Sequence, residues 1–252
     1  MAEFVKQRGV PAPGSIAAAL DIFRSEIRFY REIAPVIGIR VPACYRAEEH
    51  ENGTLLVLED LSAWQPGADP VAAARTLARM HDRWAGKAAD RWPWLRPVGA
   101  AADLVEDLYT RTWPALEARS DLDGPVRDLA RRLVGEVTAS EYAIASVGPL
   151  TLVHGDASAA NMRTSESGEV ALLDWEDVSA APGVLDLAWF LVSSVEPGGW
   201  DAAIVAYGSA AGLADVLPAV VVQGLLTLAD YADGSPDAAA WIARLACAAE
   251  YL

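Results

Sequence analysis

Cysteine is nearly absent: Cys44 and Cys247 are the only two in 252 residues, too few for a disulfide framework. Long apolar runs are missing too, although 53% of the residues are hydrophobic. The longest candidate, Val216–Leu228, is interrupted by Pro218, Gln223 and Gly224, so no stretch reaches the roughly 18 residues of a membrane span. Met1–Gly14 holds Lys6 and Arg8 but no apolar segment ahead of a small-residue cleavage site, so a secretory leader is not expected there. Internal repeats and low-complexity tracts are lacking as well. What remains is a globular protein of one or two domains, expected in the cytosol.

Lysine stops early, since none follows Lys87. Residues 1–100 carry 12 acidic and 13 basic side chains, whereas residues 101–252 carry 23 acidic and 7 basic, a net charge of -16. Such a surface repels nucleic acid and anionic membranes, because both require clustered Lys and Arg against phosphate. A cationic partner fits it better, and solubility alone is the other explanation of the excess acid.

Two regions of different character follow from the patterning. From Ser15 to Ala34, Ile16, Leu20, Phe23, Ile27, Tyr30 and Ile33 recur at helical steps behind a capping Ser15, with Pro35 and Gly38 as stop signals. Val41–Glu48 and Thr54–Glu59 read as a hairpin, and Glu3–Gln7 is the one strand ahead of the helix. Beyond Asp60 helical periodicity takes over, with Leu77, Met80 and Trp84 on one face. Further helices are expected at 100–118, 124–146, 184–194, 198–211, 214–232 and 236–251. Strands at Leu150–Val153 and Val170–Leu173 interrupt them, the latter following a turn at Ser165–Gly168. The fold class expected is α+β, with a small lobe at 1–60 and a helical lobe at 61–252.

The chemistry concentrates after the first of those strands. His154-Gly155-Asp156 opens a loop that reaches Asn161, and Asp174-Trp175-Glu176 follows the next strand. Two carboxylates and an amide oxygen at neighbouring strand ends suit phosphoryl transfer: one Asp accepts the proton of an attacking hydroxyl, while hard oxygen donors hold a magnesium ion. His154 is expected to fix the loop by hydrogen bonds, His81 to pack and His50 to lie at the surface. Asp186, at the start of Asp-Leu-Ala-Trp-Phe, reads as a cap and loop tether. Trp92, Trp94 and Trp113 are candidates to line a substrate cleft.

These motifs, with Val5-Lys6, Glu26–Glu32, Val41-Pro42, Leu56–Leu61, Leu77–His81 and Asp186-Leu187-Ala188, resemble the aminoglycoside phosphotransferase and choline kinase superfamily across nearly the whole chain. Within it the ecdysteroid-kinase-like group is the most similar in flavour. The resemblance implies a protein-kinase-like two-lobe fold and transfer of the γ-phosphoryl group of ATP or GTP, with Mg2+, to a hydroxyl of a small acceptor. The acidic second region favours a cationic acceptor such as an aminoglycoside or amino alcohol.

By this resemblance Asp156 is the catalytic base, and Asn161 and Asp174 hold the metal. Lys6 holds the nucleotide's α- and β-phosphates, Glu26 orients Lys6, and Glu59, Asp60 and Leu61 form the hinge beside the base. Taken alone, Lys6 is a common surface residue and Glu26 a solvated helix residue. The Asp-Trp-Glu step favours a small-molecule kinase over a protein kinase. Two further strands and a glycine-containing loop precede the lysine strand in relatives, and five residues precede Lys6 here. A nucleotide-binding scaffold with lost or weak turnover is therefore the alternative. The open edge of the Lys6 strand is expected to be covered by Arg8–Ser15 or by a second copy in a homodimer.

Overall fold

The computed structural model describes residues 2–122 and 124–252; Met1 and Asp123 lie outside the described residues. Strands β1 (Glu3–Gly9), β2 (Cys44–His50) and β3 (Gly53–Glu59) form an antiparallel sheet in the order β1–β3–β2. β3 takes the centre because Leu56, Val57 and Leu58 are buried, whereas its two neighbours are largely exposed. β1 is an edge strand, and its Phe4 and Val5 are 52% and 57% exposed. Arg8–Ser15 does not cover that edge: Arg8 and Gly9 prolong β1 opposite Thr54 and Gly53, and Ser15 caps the next helix.

The single helix expected from Ser15 to Ala34 is instead α1 (Ile16–Ala19), α2 (Ile22–Arg28) and a π-helical turn, Phe29–Ile33. Ser15 does cap it, its Oγ accepting from the Ala18 amide at 3.2 Å. The break falls at Asp21, whose φ of 51° is left-handed, a conformation that Asp tolerates better than most residues. It re-aims α2, burying Ile27, Phe29, Tyr30 and Ile33 and turning Glu26 toward β1.

The rest of the chain is mostly helical. It begins with β4 (Gln65–Pro66), α3 (Pro70–Trp84), α4 (Ala88–Arg91), β5 (Arg96–Pro97), α5 (Ala102–Glu117), α6 (Gly124–Arg132) and α7 (Val137–Ala143). Then come β6 (Leu150–Val153), β7 (Met162–Thr164), β8 (Val170–Leu172), β9 (Ser179–Pro182), α8 (Val184–Ser194), α9 (Trp200–Tyr207), α10 (Leu213–Leu228) and α11 (Pro236–Glu250). Two three-stranded sheets, β4–β7–β8 and β5–β9–β6, carry the loops between them. The expected helix 124–146 divides at Gly135, whose φ is 82°. Glu106 of α5 causes the division to be stable, accepting from the amides of Gly135 at 3.1 Å and Thr138 at 3.0 Å and so capping α7 from a distance.

Helices α8 and α10 are apolar on nearly every side and accordingly buried, forming the floor beneath the loops. The small sheet unit is tied to this body by the Leu172 amide, which donates to the Arg40 carbonyl at 3.1 Å, and by the Trp84 indole, which donates to the Ile37 carbonyl at 3.1 Å. The architecture is thus α+β, as expected. Among the described residues no helix is long and apolar enough to cross a membrane.

Candidate active site

β6 delivers His154, Gly155 and Asp156 to the surface of the helical body, and two buried side chains, Asp186 and His81, hold them there. Asp186 of α8 is 1% exposed and accepts from the amides of His154 at 2.7 Å and Gly155 at 3.0 Å, and from His81 Nε2 at 3.0 Å. Burial penalises its charge, yet the His81 bond and the neighbouring donors outweigh that and hold its carboxyl below the usual range. The tether expected of Asp186 is present, but the cap is not, since α8 has no side-chain cap and Asp186 lies inside its first turn. His81 is more than a packing residue. Its other ring nitrogen meets the Tyr207 hydroxyl at 2.9 Å, so it links three helices beneath the loop. Gly155, with φ of 87°, packs so closely on the Asp177 backbone that a Cβ there would collide.

His154 is fully buried. Nε2 donates to the Leu173 carbonyl at 2.7 Å, and Nδ1 accepts from the Asp156 amide at 3.2 Å, so both ring nitrogens are spent on fixing the loop. The ring lies 4.4 Å from that of Trp175, which in turn stacks on Phe29 at 4.1 Å. This aromatic column fixes the residue after Asp174, whose φ of 58° is left-handed and would otherwise be disfavoured.

Asp156 and Asn161 are joined directly: Asn161 Nδ2 donates to Asp156 Oδ2 at 2.8 Å and to its carbonyl at 3.0 Å. The Asn161 amide oxygen is thereby left as an acceptor. The Trp189 indole donates to Asp156 Oδ1 at 2.6 Å, so both carboxylate oxygens have a fixed donor. Lys6 and Glu26 meet at 2.8 Å, and Lys6 also reaches Asp174 at 2.6 Å and Glu176 at 3.2 Å. Burial works against the Lys6 charge, but Glu26 and Asp174 outweigh it and raise its pKa. Burial pushes Glu26 up to about 7 in spite of Lys6.

These groups border two cavities. One, of about 550 Å3, is walled by β1 from Phe4 to Arg8, Glu26, Leu58–Ser62, Asn161, Arg163 and Asp174. The other, of about 300 Å3, is lined by Val98, Val105, Ile144, Leu185, Trp189, Glu141, Asp177 and Asp156 among others. Asn161 faces the first and Asp156 the second, so the loop that carries both forms the partition. At the first cavity's end, the Asp60 amide already donates to the Ala2 carbonyl at 3.1 Å, and the Glu59 carboxylate clamps Arg40 at 2.6 Å. The carboxylates of Glu26, Asp174 and Glu176 each place an oxygen within 4.8 Å of the others, and oxygen donors of this kind suit a hard divalent cation.

All the residues expected at the site from Lys6 to Asp174 border the first cavity except Asp156, which borders the second. Trp92, Trp94 and Trp113 do not line the second cavity: Trp92 is buried against Trp84, Trp94 donates to Glu32 at 2.9 Å, and Trp113 packs on the core. Trp189 lines it instead. Its signal was present, for it follows Asp186 by three residues and so shares that residue's helix face. Arg8 and Glu176 were likewise legible as i+2 neighbours of Lys6 and Asp174, and Glu141 had no local signal.

Comparison with curated protein sequences gave no match. Among solved structures, aminoglycoside phosphotransferase APH(3'')-Id from Streptomyces rimosus, in complex with ADP and streptomycin, is similar at TM-score 0.60 and 18% identity, over 89% of this chain and 86% of that one. An aminoglycoside phosphotransferase from Alicyclobacillus acidocaldarius gives 0.55 and 19%, covering 99% and 83%. Choline kinase LicA from Streptococcus pneumoniae gives 0.54 and 15%, covering 99% and 85%. At such identities the likeness establishes the fold. The model of the phosphotransferase enzyme family matches residues 10–220, beginning just past Lys6 and Arg8 and running through the whole partition from His154 to Asp174. That match spans most of the sequence, and the chain belongs to the phosphotransferase enzyme family.

Proposed function

We propose that this protein is a cytosolic small-molecule kinase that transfers the γ-phosphoryl group of ATP or GTP to a hydroxyl of a small cationic acceptor, such as an amino alcohol or aminoglycoside. The observation that carries this reading is the partition: Asp156 borders one cavity while Asn161 and Asp174 border the other. In this reading residues 1–60 form the nucleotide-binding lobe and residues 61–252 the lobe that holds the acceptor. The ADP and streptomycin of the Streptomyces rimosus relative support a donor and an acceptor on one such fold.

Asp156 is the base. It takes the proton of the acceptor hydroxyl as that oxygen bonds to the γ-phosphorus, and the bond to the β–γ bridging oxygen breaks, releasing the nucleoside diphosphate. Asn161 Oδ1 and Asp174, with Glu176 close by, would hold Mg2+, which supplies neutralisation of charge on the phosphates. Lys6, oriented by Glu26, binds the phosphates nearer the nucleoside. Because the Asp60 amide is engaged with Ala2 and the Glu59 amide with Ala43, while the Leu61 carbonyl accepts from Trp64, recognition of the base falls to the remaining backbone groups of Glu59–Leu61. A second copy seated on the exposed β1 edge completes the proposal and is checked by light scattering.

The decisive experiment pairs nucleotide-dependent thermal shifts, with and without magnesium, with a mass-spectrometric product screen over hydroxyl compounds including choline and streptomycin. Phosphorylated product supports the proposal. Nucleotide binding with no product from any acceptor would favour the scaffold alternative.

A further inference from the structure

Within the larger cavity, one cation is incompletely satisfied. Arg8 follows Lys6 by two residues on β1, so the strand's period puts both on the cavity side, and both line it. β1 runs away from the hinge segment: Glu3 lies opposite Glu59, Lys6 opposite Leu56 and Arg8 opposite Thr54. Arg8 is therefore about 6.6 Å farther out than Lys6 along the strand. A nucleotide with its base at Glu59–Leu61 and its inner phosphates at Lys6 would present its outermost phosphate there.

The guanidinium is already oriented. It lies over the Phe23 ring at 5.3 Å, and its single ion pair among the described residues is a long one, Nη2 to Glu176 Oε2 at 3.4 Å. That Glu176 oxygen is shared with Lys6 at 3.2 Å. The Arg8 Nε atom is buried without a hydrogen-bond partner among the described residues. An Nε–H and an Nη–H on one edge form the fork that receives two oxygens of a phosphate, and a buried donor left unmade is a group awaiting an acceptor.

We propose that Arg8 is a ligand of the terminal phosphate of a nucleoside triphosphate, exchanging its long contact with Glu176 for the phosphate oxygens. This rests on the reading of the larger cavity as the nucleotide site. The test is calorimetric titration of the wild type, Arg8→Gln and Arg8→Lys, in magnesium, with the nucleoside, mono-, di- and triphosphate of adenine and of guanine.

Arg8→Gln is expected to weaken triphosphate binding by about tenfold, diphosphate binding by less, and monophosphate and nucleoside binding by under about twofold. Arg8→Lys should fall between, since it keeps the charge and loses the fork. Unchanged triphosphate affinity in Arg8→Gln, or an equal loss across all four ligands, overturns the role of Arg8 while leaving the nucleotide site standing. A wild type that binds neither series overturns the site and Arg8 with it. Should Arg8→Gln fail to fold, the comparison of Arg8→Lys with wild type decides in the same way.

Discussion

The two cavities on either side of the partition satisfy their charges in opposite ways. In the larger one, charges are paired among themselves: Lys6 is shared by Glu26, Asp174 and Glu176, and Glu59 is held by Arg40. In the smaller one, Arg96 meets Asp177 at 3.1 Å, but Glu141 of α7 makes no hydrogen bond or ion pair among the described residues. Burial raises the Glu141 pKa, as expected for a carboxylate that lacks a compensating cation. On the proposed reading, the first cavity would exchange one set of ionic contacts for another on binding a polyphosphate and its metal. The second keeps uncompensated acid, which on the same proposal would favour an acceptor bearing its own positive charge.

The sharpest way to separate the two cavities is Asp156→Asn, which removes proton acceptance at the partition and preserves shape. Turnover should fall by about 10²-fold or more while nucleotide affinity stays at the wild-type value, measured by product formation and calorimetry. Loss of both would mean that the partition does not divide the roles. Trp189→Phe should come next. It deletes the indole donor to Asp156 Oδ1 but keeps an aromatic wall, so kcat should drop by about tenfold with nucleotide KM unchanged, as for a lost hydrogen bond to a charged group. A variant with wild-type kcat would show that Asn161 alone orients the base.

A smaller effect is expected of Glu141→Gln. It should raise KM for a cationic acceptor by about fivefold, corresponding to about 1 kcal/mol for a partly exposed charge contact, and leave a neutral acceptor unaffected. Equal responses from the two acceptors would remove the electrostatic contrast between the cavities.

The smallest effect on turnover concerns Glu26, and it appears chiefly in stability. Its folded-state pKa of about 7 lies above the ordinary 4.5, so the folded protein binds more protons than the unfolded chain between those values. Its contribution is fully present below about pH 4.5 and is lost as the pH rises through about 7. Urea unfolding from pH 5 to 8 should show that decline in the wild type and a flatter profile in Glu26→Gln. Identical slopes would mean that Lys6 keeps Glu26 ionised throughout.

Legibility in the sequence differed between the cavities in a way that follows from chain distance. The larger one draws on motifs in which the informative residues are close in sequence: Asn161 at the end of the loop that His154 opens, and Asp174 at the end of the adjoining strand. Lys6 and Glu26 come from separate elements; taken alone each read as a surface residue, and only the resemblance pointed to their meeting, which buries Glu26 to 2% exposure. The smaller cavity assembles Val98, Glu141, Asp156, Asp177, Leu185 and Trp189 from five separate segments. No spacing encodes such a meeting. The elements themselves show the same division, for α3, α8 and α11 match their periodic signals closely, whereas β4, β5 and β9 were not anticipated because two to four residues of Gln, Arg, Ser, Ala and Pro carry no strand pattern.

The sequence by itself determined most of the periodic elements and the residue types of the partition, because backbone periodicity and local motif spacing are properties of neighbouring residues. Tertiary structure alone decided where helices break. Asp21 turns left-handed to bring Glu26 against Lys6, and Glu106 caps α7 across a gap of 32 residues. It also decided which side chains complete the site, since the contact of Trp189 with Asp156 and the burial of the Arg8 donor depend on packing between segments that the chain brings together only on folding.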